Sequence, residues 1–474
     1  MIIGREREKQ ELLNTKKKNS SQLVIVYGRR RVGKTFLVNE TFNNDFAFKL
    51  TGDYKKPLSV QLSNFNDELK NRWKKDFPKP KSWREAFRLL MNYIDSLEVG
   101  KKQVVFFDEM PWMDTPKSKF IDSFEWFWNQ YGSSKNNLIF VVCGSASGWM
   151  VKKFDKNKGG LFDRQTLRIY LNPFNLYETR EFLLSNGIDW SIRDICECYM
   201  IMGGIPFYLN LLDPSLTLNE NIDNMFFKKR CLLWDEFDKL YSTLFNDDPN
   251  YVKLVETLSK KKSGLTRKEL VEDYKYVDNG NLTTILKNLL DTGFIKTTNC
   301  VGSRKTILYQ LSDYYTLFYF KYIKDNYGIN EHFYRNSTSG ASRRIWNGFA
   351  FELVCFDHIN QIKQKLGISG IISKDYSYYV KGNDEEKGTQ IDLIINRKDH
   401  VSSLCEIKFY DSEFIIDKEC YEDLINKRET YLRHSGTRNS IQMVMITSYG
   451  LANSKYNNLI NRNIKLEDMF IPND

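Results

Sequence analysis

Gly28-Arg29-Arg30-Arg31-Val32-Gly33-Lys34-Thr35 combines residue types that suit one task, holding the phosphates of a nucleoside triphosphate. Phosphate oxygens are bound by converging backbone N–H groups, so glycines must stand where a side chain would block the approach, here at Gly28 and Gly33. In such a loop Lys34 reaches the β- and γ-phosphates and the Thr35 hydroxyl ligates Mg²⁺. Arg29, Arg30, Arg31 and Val32 supply the rest of the cradle, and Phe36 continues into the following helix. Further on, KQVVFFDE ends in Asp108, placed to hold Mg²⁺ through water, and Glu109, placed to polarise the water that attacks the γ-phosphate. LIFVVCGS ends in Ser145, whose hydroxyl can sense that phosphate. A separate group lies near the other end of the chain. Asp392 stands two residues after Gln390 and Lys408 two after Glu406, and side chains two apart in a strand share a face. Two carboxylates and a peptide carbonyl can hold one or two Mg²⁺ or Mn²⁺ ions, with a lysine orienting a water for in-line attack on a phosphodiester. An E-x-K run is also cheap in a chain this rich in both residues.

The elements that must position these groups follow from the hydrophobic pattern. Gln22 to Val38 spells strand, loop, helix, which is the context the loop requires. Phe46–Leu50, Lys102–Glu109, Leu138–Ser145 and Leu167–Leu171 are further buried strands, with a helix over Trp83–Leu97 between them. That alternation predicts a parallel sheet whose ligand crevice lies beyond the carboxyl ends of its strands. Arg164, in a loop before the last of these strands, is either a charge-stabilising arginine for a γ-phosphate or a surface residue. Tyr177–Leu184 and Ser191–Met200 form a small helical lid that ends at Gly203-Gly204-Ile205-Pro206. Tyr251–Leu258, a segment from Thr266 to Val271, Asn281–Leu290 and a hairpin through Arg304-Lys305 to Leu311 have the order of a winged helix, either a spacer or a DNA reader. Asp325–Ser342 is expected to be a linker, followed by a helix over Ile345–Ile362 carrying Glu352. Strands are expected at Tyr376–Val380, Gln390–Ile395, Ser403–Phe409 and Ile441–Thr447, with a short helix at the tail. Lys427, Arg428, Arg433 and Arg438 lie on the intervening helix or its ends and could contact phosphates, although a solvated basic face is the expected reading.

Composition bounds these expectations. A chain of 474 residues exceeds one compact core, and 41% hydrophobic with 14% aromatic residues can fill several. The formal charge of +10, from 70 basic and 60 acidic residues, permits a polyanionic partner without showing one. The eight cysteines include no C-x-x-C pair and fit reduced core thiols. With no secretory leader and no apolar run long enough for a membrane span, a cytoplasmic protein without membrane partner is expected.

Taken together, IIGREREKQEL, the phosphate loop, FFDE, the GSA strand end, GLFDR and GGIPFY resemble the archaeal-type ATPases of the STAND and AAA-related P-loop division. The resemblance implies an ATPase and adds Ile3, Gly4, Arg5 and Pro206 to the ATP site, flanking the adenine. The position matching Arg164 is usually preceded by glycine in that family, whereas here it follows Asp163. The C-terminal group resembles the restriction-endonuclease-like PD-(D/E)XK nucleases, which implies Asp392 and Glu406-Ile407-Lys408 as the motif, Glu352 as a further metal-binding acid on the first helix, Gln390 as an auxiliary residue, and DNA as partner. The expected architecture is therefore α/β: a parallel-sheet P-loop core (1–174), a helical lid (175–247), a winged helix (248–325) and a restriction-endonuclease-like α/β domain (326–474). The functional expectation is an ATP-hydrolysing, DNA-associated protein with a metal-dependent nuclease activity. Its rival is a nucleotide-switched signalling or scaffold ATPase, forming nucleotide-dependent homo-oligomers, whose last domain binds without cutting.

Overall fold

The computed structural model describes residues 2–472 except 99, 146, 155–159, 162–163, 246, 300–306, 338–339 and 381–387. The chain forms two compact units, one of residues 1–173 with 240–247 and the other of residues 174–239 with 248–474.

In the first unit the apolar runs become β1 (Gln22–Gly28), β2 (Phe48–Thr51), β3 (Gln103–Asp108), β4 (Leu138–Gly144) and β5 (Leu167–Leu171). They form one sheet in the order β2-β3-β4-β1-β5, and every neighbouring pair is parallel. β3 and β4 are buried along their whole length, as strands covered on both faces must be. One face packs on an aromatic core in which Phe87 stacks on Phe107 and Phe127. Met110 and Met113, beyond β3, are also core residues. Because β1 lies between β4 and β5, the loop after β1 shares one sheet edge with the ends of β3 and β4.

The second unit begins with the helices Leu176–Ser185 and Ile192–Met202. The Gly203-Gly204 break is obligatory at Gly204: its φ is 64°, and a Cβ there would lie 2.1 Å from the Phe174 carbonyl oxygen. Helices Pro249–Ser259, Arg267–Glu272 and Gly280–Asp291 pack with a small antiparallel sheet of β6 (Leu265–Thr266), β7 (Ile295–Asn299) and β8 (Ile307–Leu311), in the order β6-β8-β7. Arg304 and Lys305 lie outside the described residues. Thr266 accepts from the Glu269 N–H at 3.0 Å, and the Glu269 carboxylate accepts from the Thr266 N–H at 2.7 Å. Thr266→Ala is therefore expected to cost about 1 kcal/mol, seen as faster amide exchange across Arg267–Glu272.

Helices Ala341–Asp357 and Ile359–Leu366 lead into β9 (Ser373–Val380), β10 (Thr389–Arg397), β11 (Val401–Lys408), the helix Lys418–Ser435, β12 (Ser440–Thr447) and β13 (Arg462–Lys465). The sheet order is β13-β12-β11-β10-β9, antiparallel on the β9 side of β11 and parallel on the other. Three expectations are corrected here. The helix expected over Ile345–Ile362 is interrupted at His358, whose buried ring accepts from the Leu176 N–H at 2.8 Å and pairs with the Val354 carbonyl at 2.8 Å. The segment expected as a linker is anchored at one of its described residues, because Tyr334 is 1% exposed and its N–H donates to the fully buried Asp223. The tail forms β13 and short 3₁₀ turns in place of one short helix.

Candidate functional sites

Beyond the β1 terminus, Gly28 has φ 150°, and a Cβ there would meet the Leu171 carbonyl oxygen of β5 at 2.4 Å. Gly33, at φ 89°, immediately precedes the helix Lys34–Thr41, so the loop turns directly into a helix N-terminus. Lys34 is buried, and its ammonium donates to the carbonyls of Arg29 (2.8 Å) and Gly28 (3.2 Å). Burial pushes its pKa down, against the opposing charges of Glu109 and Asp108. Thr35 donates its hydroxyl to Asp108 Oδ2 at 2.8 Å, joining the loop to the end of β3. Burial raises the Asp108 pKa, and the Thr35 hydrogen bond opposes that rise.

Glu109 sits in the left-handed region at φ 46°, ψ 46°, a conformation that costs a non-glycine residue free energy. Its carboxylate accepts from the Ser145 hydroxyl at 2.8 Å and from the Ser145 N–H at 3.2 Å. Gly52 lets this turn approach β2, since a Cβ at Gly52 would lie 2.6 Å from the Glu109 carbonyl oxygen. Sequence reasoning missed Gly52, although a lone glycine after a strand can signal close backbone approach.

Arg5 is buried and donates to the Asn172 carbonyl at 2.6 Å, just past β5, so the entry segment lies at the same sheet edge as the loop. Gly4 is buried at φ 65° beside it, and Ile3 is half-buried. Arg29 and Val32 are buried, Arg30 and Arg31 half-buried, and Phe36 is exposed. Arg164 is exposed, with its N–H donating to the Leu161 carbonyl. Asp163 lies outside the described residues. Pro206 belongs to the second unit, where it opens the short helix Pro206–Leu209. The hard oxygen donors Thr35 and Asp108 suit Mg²⁺, and the glycine-bordered loop at a helix N-terminus suits a polyphosphate.

In the second unit, β10 and β11 pair with Leu393 opposite Cys405, a register that carries Asp392 toward Glu406. Asp392 is buried and accepts from the Ile407 N–H at 2.9 Å. Glu406 is held on both oxygens, by Lys408 at 2.9 Å and by Lys427, from the helix Lys418–Ser435, at 2.6 Å. Lys427 also pairs with Asp423 at 3.1 Å. It is a buried ion-pair partner, which corrects its expected place on a solvated face. No local pattern could reveal this, since its partner stands on a distant strand. Burial pushes Glu352 up to about 7, opposed by Lys262 and reinforced by Glu406. Burial, then Glu406 and Glu352, holds Asp392 well above the usual carboxylate range. For Lys408, burial disfavours the charge, but Glu406 outweighs it and raises the pKa.

Glu352, Asp392 and Lys408 line a cleft of about 700 Å³ together with Arg193, Arg343 and Asn347. Glu197 anchors that wall: its carboxylate accepts from Arg343 (2.9 Å), Asn347 (2.8 Å) and Arg193 (3.0 Å). Sequence reasoning missed this network as well. Gln390 is exposed on β10. The oxygen donors of Asp392, Glu406 and Glu352 have the chemistry that Mg²⁺ or Mn²⁺ prefers. Among the described residues, however, no three acidic, histidine or cysteine side chains converge as a ready metal cluster.

Residues 2–212 match the model of an ATPase domain found predominantly in Archaea. An uncharacterized protein of Methanocaldococcus jannaschii is 25% identical over 437 residues, covering 90% of this chain and 92% of that protein. Among solved structures, a Walker-type ATPase of Pyrococcus abyssi aligns with TM-score 0.47 and 19% identity over 68% of this chain and 96% of its own. The ORC2 protein of Aeropyrum pernix, solved as ADPNP-ADP complexes, aligns with TM-score 0.44 and 11% identity over 65% and 89%. No helix among the described residues is long and apolar enough to cross a membrane.

Proposed function

We propose that the chain binds and hydrolyses ATP in its first unit and engages DNA through its second. The observation that carries the ATPase reading is the Thr35–Asp108 hydrogen bond beside the Glu109–Ser145 pair. It supports this reading by bringing Thr35, Asp108, Glu109 and Ser145 to one sheet edge, beyond a glycine-bordered loop, where a hydroxyl and a carboxylate could serve a metal and a second carboxylate a water. Mg²⁺, when bound, would neutralise phosphate charge between Thr35 and Asp108. In this reading Lys34 leaves the loop carbonyls for phosphate oxygens, Glu109 takes a proton from the attacking water, and Ser145 keeps the base oriented. Ile3, Gly4 and Arg5 are assigned to the adenine side and Arg164 to transition-state charge.

The test is ATP binding and turnover by the purified protein; absence of both would sink the reading. Ser145→Ala is expected to lower turnover about tenfold with ATP affinity unchanged, because the lost hydrogen bond to a charged group orients the base without binding the nucleotide.

For the second unit we propose a winged-helix segment followed by a restriction-endonuclease-like domain, with Asp392, Glu406 and Glu352 as metal ligands and Lys408 orienting the nucleophilic water. The lining of one cleft by Glu352, Asp392 and Lys408, with Glu406 paired to Lys408, supports this assignment. A second reading, a nucleotide-switched scaffold that binds without cutting, draws on the two lysines that hold both Glu406 oxygens. Incubation of plasmid and linear DNA with Mg²⁺ or Mn²⁺, with and without ATP, separates the two: strand breaks establish the nuclease, and intact DNA beside active ATP turnover favours the scaffold.

A further inference from the structure

The second unit holds another groove, of about 480 Å³, between the end of the helix Pro249–Ser259, the aromatic segment after Tyr314 and the start of the helix Ala341–Asp357. Lys260, Lys262, Lys321 and Lys324 line it, against Glu256 and Asp325. Glu256 neutralises Lys324 at 2.7 Å, while Lys260 and Lys321 are exposed with no ion pair among the described residues. Lys262 folds over the Phe349 ring at 5.0 Å, and burial lowers its pKa, opposed by Glu352 and reinforced by Lys321. Four lysines against two carboxylates leave the groove an excess of positive charge that a further anion would offset.

Two features narrow the anion. Trp346, 4% exposed, lines the groove, and Phe320 offers a partly exposed ring between the lysines. Basic side chains interleaved with aromatic ones suit a nucleic-acid strand, whose phosphates meet the lysines and whose bases supply ring faces. The groove also has a direction. Ile345, 57% exposed, lines both this groove and the cleft that contains Glu352, Asp392 and Lys408.

We infer that this groove seats a single strand of nucleic acid and delivers it across Ile345 to the acidic cleft. The inference rests on the DNA-binding reading of the second unit and adds where the strand lies, on faces other than the Gly280–Asp291 helix, whose Thr283 and Thr284 hydroxyls already bond their own helix carbonyls.

The test is fluorescence anisotropy with labelled single-stranded DNA, the matching duplex and the matching RNA strand, without divalent metal, across a salt series. Lys260→Glu/Lys321→Glu is compared with Lys74→Glu/Lys75→Glu, an equal charge change on exposed residues of the first unit. The groove variant is expected to bind single strands about tenfold more weakly or worse, with the salt slope reduced by about 2, while the control stays near the unchanged protein. Both substituted lysines are exposed, so melting temperatures should match. Bromodeoxyuridine in the strand is expected to crosslink within residues 256–262 or 314–349. Equal losses in the two variants, no loss in either, or crosslinks elsewhere overturn the groove and leave DNA binding standing. Preference for duplex over strand overturns the single-strand assignment. No affinity of the unchanged protein for any probe removes the DNA-binding reading itself.

Discussion

Glu109→Gln is expected to bind ATP as the unchanged protein does and to hydrolyse it about 10²- to 10³-fold more slowly. Removal of a positioned general base costs of this order, and glutamine keeps the size of the side chain while losing its basicity. The Ser145 N–H and hydroxyl, 3.2 and 2.8 Å from the carboxylate, can still meet the glutamine carbonyl, so the left-handed turn at Glu109 should persist. Lys34→Ala supplies the contrast. It removes the ammonium that now rests on the loop carbonyls and is expected to lose ATP binding along with turnover. Equilibrium binding of a fluorescent ATP analogue beside single-turnover hydrolysis distinguishes the two. Normal hydrolysis in Glu109→Gln would assign the base elsewhere.

Loss of DNA cleavage by about 10³-fold or more is expected in Lys408→Ala, and this substitution is informative because of what remains. Glu406 keeps Lys427 at 2.6 Å, so its buried carboxylate is not left without a cation and the fold should hold. Asp392 calls for a different substitution. Alanine there would leave the Ile407 N–H without its acceptor, a cost of about 1–3 kcal/mol, whereas asparagine retains an acceptor and removes the charge. Asp392→Asn is expected to melt near the unchanged protein and to cut no DNA. Gel analysis of nicked and linear plasmid, beside melting curves, gives both readouts. Cleavage at the normal rate in either variant would remove the metal-dependent assignment.

The parts legible in the sequence were those whose chemistry is written locally. Gln22–Val38 declares its loop because two glycines, a lysine and a threonine stand between a buried strand and a helix. β3 ends at Asp108 where four apolar residues give way to charge, and the Thr266–Glu269 cap is visible as a three-residue spacing. The acidic face of β10 and β11 was visible through its two-residue periodicity. What escaped was held across long sequence distances. Lys427 resembles any helix lysine until Glu406 lies beside it, and Glu197 resembles a surface residue until Arg343 and Asn347 bury it. Asp325–Ser342 is polar enough to suggest a linker, yet one tyrosine and the buried Asp223 fix it. His358 ended a helix that its neighbours would have continued, because its ring serves the Leu176 N–H.

The return of residues 240–247 to the first unit bears on how the gene can be divided. The Tyr54 hydroxyl donates to the Ser242 carbonyl at 2.8 Å, Lys55 pairs with Asp247, and Tyr241 and Phe245 are buried. A truncation ending at Pro173, or at the end of the matched ATPase segment, would leave Tyr54 without that partner, two residues from the Gly52 backbone against which Glu109 turns. The chain leaves this unit, comes back for one short helical stretch and leaves again, so the first unit is not a prefix of the sequence. Its smallest faithful excision joins residues 1–173 through a designed linker to the stretch 240–247.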